Sequence, residues 1–468
     1  MVIQSLTIAK NTFVESTRQP VLFILTLLCG VIQIFTTWST GYSMGYTDAS
    51  EVSGDNKLLL DIGLSSVFVM GMLLAGFLAT AVMSREIENK TVLTVVSKPI
   101  ARPTVVLGKF LGVAGAISIA VITMLVFLLL CIRHGVMSTA ADEIDMPVVV
   151  FSLLAVGGAL GFAGWANYFY GWSFPQMVTL LLAPLTIAAF VAVMFIGKEW
   201  RIQPPLVDFK PQITLACAVL LLAVLVLTAI ATAASTRLSQ VMTITVCAGV
   251  FLASLLTNYF LGRLAYSNDP IGRVAAVVAA NPRDPSFATP GDFYEVTLEL
   301  PATRPLAAGD FLRYGPNPNG FDLQTASPEA LRFEGSLSDP QQTLGANAPR
   351  AIVLTNLSFS KGAEGSAGGR PVLTLRHIGP EDNREGGAVR RPPEPGDYVF
   401  ATPTVVRPVY LAAWAVVPNL HYFWLLDAVS QNVAIPVSHV GLIALYSLLQ
   451  IGACLSLAVM LFQKRDVG

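Results

Sequence analysis

The chain has 468 residues, of which 54% are hydrophobic and only 13% are charged. Soluble globular proteins carry about 25% charged residues, so this composition excludes an ordinary soluble enzyme. The formal net charge of −1 lacks the basic excess that nucleic-acid-binding domains show, and we expect no nucleic-acid partner.

The first predicted element is a short helix over residues 1–19. The apolar side chains of Ile3, Leu6, Phe13 and Val14 fall on one helical face, and Pro20 ends the helix. This pattern predicts an interfacial N-terminal helix at the membrane surface. The alternative is a plain N-terminal extension of the first spanning helix.

Eight segments reach the length of about 20 apolar residues that a helix needs to cross a bilayer. They are residues 20–40, 62–83, 104–132, 147–170, 174–197, 212–235, 239–262 and 437–462. Residues 20–262 therefore form a predicted membrane domain with seven spans and a cytoplasmic loop at 84–103. Residues 411–468 form an amphipathic outer segment followed by the final span.

Charged residues concentrate in the interval before that final span. Residues 263–410 hold 14 of the 29 Lys and Arg residues and 16 of the 30 Asp and Glu residues. The remaining chain is correspondingly apolar. This distribution predicts a soluble domain of ordinary composition, inserted into an apolar membrane body.

The inserted domain reads as β-rich. Short runs of β-branched and aromatic residues alternate with Pro, Gly, Asn and Asp, which is typical of strands and turns. The predicted strands are Phe293–Leu300, Ala330–Ser336, Ala351–Ser358, Pro371–His377 and Tyr398–Val406. Their spacing favours a small sandwich or an open barrel. The predicted fold class is an α-helical polytopic membrane protein of about eight spans with an inserted β-rich extracytoplasmic domain.

Lysine and arginine in the short loops predict the orientation. If the N-terminus is cytoplasmic, the inside segments hold nine of these residues and the short outside loops hold five. The bias therefore places both termini in the cytoplasm. It makes the protein a multi-pass protein of the cytoplasmic (inner) membrane, with residues 263–410 outside.

The loop after the second span is the most informative stretch, and residues 84–109 read SREIENKTVLTVVSKPIARPTVVLGK. Arg85–Val96 can form a short helix with Ile87, Thr91 and Val95 on one face, which Pro99 and Pro103 end. Such a helix, attached to two spans, can receive mechanical force from a docked partner. Equally, it can serve only to fix the loop to the lipid headgroups.

This loop resembles the coupling-helix region of ABC type-2 permeases. In that family a Glu opens the loop, a Thr follows, and a Pro, an Arg and a Gly-Lys lead into the next span. The matching residues here are Glu86, Thr91, Pro99, Arg102, Gly108 and Lys109. Lys90 stands where the family often has Gly. The other resembling segments are Val416-Val417-Pro418-Asn419 with Phe423, and Phe462-Gln463-Lys464-Arg465-Asp466.

The resemblance covers residues 1–262 and 411–468, and it implies a function. Members of this family are the permease subunits of ATP-driven ABC exporters, and each usually has six spans. The pair 147–170 and 174–197 then reads as an added hairpin. A separate cytoplasmic ABC ATPase would dock on the loop. The residues expected to bind it are Glu86, Ile87, Thr91, Val95, Pro99 and Arg102.

Two absences from the sequence support an external energy source. The central parts of the spans contain no Asp, Glu, Lys or Arg, whereas ion pathways are usually marked by such residues. The chain also lacks the G-x-x-x-x-G-K-[ST] phosphate-binding loop. We therefore expect a transport subunit that is not an enzyme and has no catalytic residue, metal or cofactor of its own. ATP and magnesium would belong to the ATPase, and a second permease chain would complete a homodimer or heterodimer among the membrane lipids.

A competing interpretation starts from the inserted domain. Its size and charge also suit a non-transporting membrane scaffold or sensor whose β-domain binds a ligand or an envelope partner. Three smaller patterns stay open as well. The pairs Gly108/Gly112 and Gly157/Gly161 permit a dimer seam, residues 165–172 suit an interfacial aromatic belt, and residues 418–433 suit an interfacial collar.

Overall fold

The computed structural model describes residues 2–39, 54–88, 101–136, 144–280, 291–316, 318, 352–359, 370–378, 392–402, 404–425, 429 and 435–463. The chain divides into two compact units. The helical unit comprises Met1–Leu255 and Pro418–Gly468, and the barrel unit comprises Leu256–Val417. This confirms the predicted fold class of a polytopic helical protein with a separate β-sheet-rich region.

Ten helices of at least nine residues occur in the described part of the chain. They are α1 (Val2–Thr17), α2 (Pro20–Ser39), α3 (Gly54–Glu88), α4 (Arg102–His134), α5 (Met146–Tyr170), α6 (Phe174–Phe195), α7 (Pro211–Ser235), α8 (Gln240–Thr257), α9 (Pro408–Val416) and α10 (Val437–Gln463). Eight of the described helical stretches are long and apolar enough to cross a membrane, and all eight overlap the predicted spans.

Helix α4 forms the centre of the helical unit. Its most apolar stretch is 72% buried, and the helix packs against α1, α2, α3, α6 and α7. The buried side of α4 combines small and branched residues such as Ala116, Ile117, Ala120 and Val121, which allow close helix approach. By contrast the most apolar stretch of α10 is only 17% buried, so most of the surface of this helix is not covered by the rest of the chain.

The buried hydroxyl groups of the spanning helices are satisfied locally. Thr26, Thr80 and Thr228 each donate a hydrogen bond to the carbonyl four residues earlier, at 2.7–2.8 Å. A bilayer offers no water to such groups, so the backbone carbonyl is the available acceptor. These threonines are therefore compatible with apolar surroundings and do not by themselves mark a polar path.

The barrel unit contains a closed barrel of six strands and a separate two-stranded ribbon. One strand of the ribbon comes before the barrel strands in the sequence, and the other comes after them. The strands are β1 (Tyr266–Ser267), β2 (Gly272–Ala279), β3 (Phe293–Leu298), β4 (Phe311–Gly315), β5 (Ile352–Phe359), β6 (Pro371–His377), β7 (Tyr398–Phe400) and β8 (Val405–Val406). The barrel order is β2-β3-β6-β5-β4-β7, and all of its pairs are antiparallel.

The expected sandwich or open barrel was therefore wrong. The sheet closes where β2 pairs with β7, through Gly272 opposite Val399 and Arg273 opposite Tyr398. This pairing joins residues that lie far apart in the sequence, so no local sequence pattern predicts it. Register shifts in β2 and β5 supply the irregularities that bend strands into a small barrel.

Two of the barrel strands were not predicted, and both have weak local signals. Strand β2 reads GRVAAVVA, and its three alanines have low strand propensity. Strand β4 has only five residues. The predicted strand at 330–336 lies outside the described residues. The inward faces of the strands that were predicted follow the expected alternation, with Tyr294, Val296 and Leu298 of β3 buried.

The ribbon of β1 and β8 brings together the two ends of the inserted chain. Tyr266 lies opposite Val406, and Ser267 lies opposite Val405. Asn268 reinforces this junction by donating to the carbonyl of Thr402 at 2.9 Å, and the Thr402 hydroxyl donates back to the Asn268 Oδ1. The chain thus enters and leaves the barrel at one place.

Candidate functional site at the coupling end

The predicted coupling loop connects α3 to α4. Helix α3 continues to Glu88, so Glu86 and Ile87 belong to the last turn of the spanning helix. The expectation of a separate helix beginning at Arg85 was wrong at that boundary, because the helical run of α3 does not break there. Thr91, Val95 and Pro99 lie outside the described residues. We call the end of the helical unit where α3 ends and α4 begins the coupling end.

Lys109 connects the two helices near the base of this loop. Its side chain is buried, and its Nζ donates to the carbonyl of Val82 in α3 at 3.0 Å. Burying a cation is costly unless it is hydrogen-bonded or paired. The bond therefore offsets part of that cost and holds the start of α4 against the end of α3.

Arg102 holds the same end of α4 against the final spanning helix. Its Nη1 donates to the carbonyls of Gln463 at 2.7 Å and Phe462 at 3.5 Å, and the Nε of Arg237 donates to Leu461 at 3.1 Å. The last carbonyls of a helix have no partner within it and carry the negative end of its dipole. Two guanidinium groups thus stabilise the end of α10. Arg102, predicted to bind the ATPase, is engaged by α10 in this structure.

Helix α1 packs against α4 through two glycines. A Cβ atom added to Gly108 would lie 2.8 Å from the carbonyl oxygen of Ser5, and one added to Gly112 would lie 2.6 Å from that of Ala9. No larger residue fits without displacing α1. The Gly108/Gly112 face is therefore occupied within the chain by α1, which excludes the possible dimer seam at this pair. The space beside Gly157 and Gly161 is open, and a seam at that pair stays a prediction.

The packed face of α1 differs from the predicted apolar face. Ser5, Thr12 and Ser16 are buried, whereas Ile3 is 81% exposed and Leu6 is 58% exposed. Small polar residues line this contact because the helices approach closely at the glycines. The contacts advance along both helices together, so α1 runs beside the first part of α4. Its placement at a membrane surface stays a prediction.

The turn between α5 and α6 lies beside the end of α1, where the Nε of Arg18 donates to Gln176 at 3.1 Å. Exposed aromatic rings surround this turn, among them Tyr168, Phe169 and Tyr170. Neighbouring rings contact each other at centroid distances of 5.0–5.7 Å. Exposed tyrosine and tryptophan at a span end suit the interfacial aromatic belt, which stays a prediction.

The other end of the helical unit, where α4 ends and α5 begins, we call the opposite end. There a turn at Leu420–Phe423 covers an apolar cavity of about 200 Å³ between α3, α7 and α8. The turn is fixed to the helices because the amide of Leu420 donates to Ser254 and the amide of Asn419 donates to Tyr446 at 3.0 Å. Part of the predicted collar thus packs on the helical unit.

A metal site is not evident in the described part of the chain, where no three His, Cys, Asp or Glu side chains gather. The described cysteines are all free thiols.

Comparison with known proteins agrees with the resemblance. Residues 6–163 match the family model described as ABC-2 family transporter protein. This match supports an ABC type-2 permease. The matched part of the chain begins in α1, includes α2, α3 and α4, and ends within α5, so it contains the whole coupling end of α3 and α4. No curated protein and no solved structure matches the chain.

Proposed function

We propose that this permease is the membrane subunit of an ATP-driven exporter, and that a separate ABC ATPase docks on the loop between α3 and α4. The observation that carries the proposal is the family match over this loop and both of its helices. The ATP and magnesium of the transport cycle then belong to the ATPase. Glu86, Ile87, Thr91, Val95 and Pro99 are the proposed contact residues.

The geometry of the coupling end supports transmission of force from this loop. Helices α3 and α4 have 35 and 33 residues, which corresponds to about 50 Å each at 1.5 Å per residue. Lys109 holds them together near the loop, and Arg102 holds α4 to the end of α10. A push on the loop therefore moves three spanning helices, and their far ends move with them. Arg102 then acts by positioning α10.

Two permease chains would enclose the transport path, bordered by α2, α3 and α10. The outward faces of α2 and α10 suit this role, because both helices are less than half buried in the single chain. The proposed location is the cytoplasmic membrane, with both termini and the coupling loop inside. The barrel unit then lies outside.

Site-specific crosslinking in native membranes tests the docking. A photoreactive amino acid replaces Val95 in the coupling loop or, as the control, Ile202 in the loop before α7, which is 91% exposed. We expect an adduct between position 95 and an ATP-binding cassette protein, identified by mass spectrometry, and no such adduct from position 202. Adducts from position 95 that contain only lipid or unrelated proteins would contradict the proposal.

A variant pair tests whether the contact couples ATP hydrolysis to this chain. Glu86→Ala removes a proposed contact, and Glu199→Ala removes an exposed carboxylate in the loop that also holds Ile202. We expect the ATPase activity that copurifies with the tagged permease to fall several-fold for Glu86→Ala and to stay unchanged for Glu199→Ala. Equal activity in both variants would count against docking at the loop.

A further inference from the structure

A charged cluster at the opposite end of the helical unit has no part in the proposed coupling. Arg133, in the last turn of α4, pairs with Asp145 at 2.5 Å and with Asp208 at 3.0 Å. Asp145 is fully buried and also accepts from the amide of Val148, so it caps the start of α5. One guanidinium group thus joins the end of α4, the start of α5 and the segment before α7.

A cavity of about 170 Å³ opens beside this cluster, between the ends of α4, α6 and α7. One side of its lining is apolar and comes from the spanning helices, including Leu129, Phe190 and Met194. The other side is charged and comes from the helix ends, with Arg133, Lys198, Lys210 and Asp208. The lining therefore changes from apolar to cationic towards the span ends.

The lining and its ion-paired partner keep a net positive charge, because the three cations Arg133, Lys198 and Lys210 outnumber the two carboxylates Asp208 and Asp145, and this favours an anion. The side chain of Arg133 is only 7% exposed. Its Nη atoms bind the two aspartates, while its buried Nε has no hydrogen-bond partner among the described residues. Because this Nε has no accessible surface, the cations that an anion in the cavity would contact are Lys198 and Lys210.

The segment that carries Lys198 is held in a defined shape. Ile196 pairs with Ile202 across the turn, and the amide of Gly197 donates to the carbonyl of Arg201 at 2.8 Å. Gln203 donates to Asp208, which connects this turn to the Arg133 cluster. The cationic side of the cavity is thus built by backbone and side-chain hydrogen bonds, and binding there requires little ordering.

We propose that this cavity binds a phosphate group, supplied by the headgroup of an anionic phospholipid. The span ends lie where a bilayer presents its headgroups, and the apolar wall gives an acyl chain a place to pack. The volume is below the roughly 300 Å³ at which pockets for drug-sized ligands begin, so the headgroup and the start of a chain suit it better than a whole organic ligand. This assignment does not depend on the ATPase or on transport.

Native mass spectrometry of the full chain, released from detergent, tests the proposal with three probes. Phosphatidylglycerol carries both phosphate and chains, diacylglycerol carries the chains alone, and inorganic phosphate carries the anion alone. We expect the intact permease to bind phosphatidylglycerol at least tenfold more tightly than either of the others. Diacylglycerol or inorganic phosphate binding as tightly as phosphatidylglycerol would overturn the phospholipid as the ligand.

Charge variants of the lining locate the binding. Lys198→Gln with Lys210→Gln removes two cations of the cavity. Arg201→Gln removes an equal kind of charge from the same loop, where the side chain is 84% exposed and outside the lining. We expect the double variant to weaken phosphatidylglycerol binding at least tenfold and the control to change it less than twofold. Equal losses in both, or no loss in the double variant, would overturn the site.

Since Lys210 adjoins α7, the single variant Lys198→Gln protects the test against misfolding. Lys198 is exposed, so its removal should leave the melting temperature in detergent unchanged. We expect a loss of affinity of about threefold or more for this variant alone. Full retention of affinity by a folded Lys198→Gln protein would overturn its role in the cavity.

Discussion

The two ends of the helical unit use their cations in different ways. At the coupling end, Lys109, Arg102 and Arg237 donate to backbone carbonyls of α3 and α10. At the opposite end, Arg133 pairs with two carboxylates. The carbonyls are neutral, so cations bound to them keep their full charge, whereas the ion pairs cancel most of the charge of Arg133.

This difference bears on the stability of the two ends. The ion pairs of Arg133 are buried, and removal of one partner leaves a charge in a medium that solvates it poorly. The coupling end should therefore tolerate substitution better than the opposite end.

The largest effect is expected from Arg133→Gln at the opposite end. This change leaves Asp145 fully buried without its cation, which costs about 3–5 kcal/mol in comparable buried pairs. Thermal unfolding in detergent, followed by fluorescence, should show a large fall in melting temperature. The control is Arg201→Gln, which breaks an exposed pair with Glu199 and should leave the melting temperature unchanged. Similar small shifts in both variants would mean that the buried cluster adds little stability.

A smaller loss of folding stability is expected from Gly112→Ala at the coupling end. The new methyl group would lie 2.6 Å from the carbonyl oxygen of Ala9, so α1 must move, at a cost of about 1–3 kcal/mol. Gly161→Ala is the matched control, since nothing lies within 4 Å of its added Cβ. Limited proteolysis should release α1 faster in Gly112→Ala only. Equal proteolysis of the two variants would show that α1 does not depend on this contact.

The free energy of unfolding is expected to fall by about 1 kcal/mol in Arg102→Ala, because this change removes the hydrogen bonds to the last carbonyls of α10. A cysteine at Gln463 should then react faster with a water-soluble maleimide, because the end of α10 becomes less restrained. Arg102→Lys serves as the comparison, since it keeps the charge at the helix end but not the planar fork. An unchanged reaction rate in Arg102→Ala would show that the contact does not hold α10.

Much of the helical unit could be predicted from the sequence because span length and apolarity are local properties. The start of α2 at Pro20 and the hairpin of α5 and α6 followed directly from them. The contacts of the coupling end did not, because Lys109 and Val82 or Arg102 and Gln463 come together only through tertiary packing. The Gly108/Gly112 pair shows the same limit: its sequence predicts a close helix approach but not which helix approaches.

The sequence of the barrel unit contains a local turn pattern that marks the start of strands and that strand propensity alone does not detect. Gly291, Gly309 and Gly396 have φ angles of 96°, 94° and 100°, and each is followed by Asp and then by the aromatic residue that begins a strand. At two of these turns the Asp carboxylate accepts the amide of the residue three positions earlier, Ala307 or Glu394. The Gly-Asp-aromatic pattern recurs at Gly309, where it predicts the start of β4, a strand that is otherwise too short to be evident from its sequence.

The smallest effect on the helical unit is expected when the barrel is removed altogether. Ser267 and Val405 are directly opposite in the ribbon of β1 and β8, so an Asn-Gly turn can replace residues 268–404 and close a two-residue hairpin. The remaining chain keeps every described contact of the two ends compared above. We expect normal membrane insertion and a melting temperature of the helical unit within about 2 °C of the full chain. Loss of insertion would mean that the helical unit needs the barrel to fold, whereas unchanged folding with loss of transport would assign the barrel to the substrate path or to a partner outside the membrane.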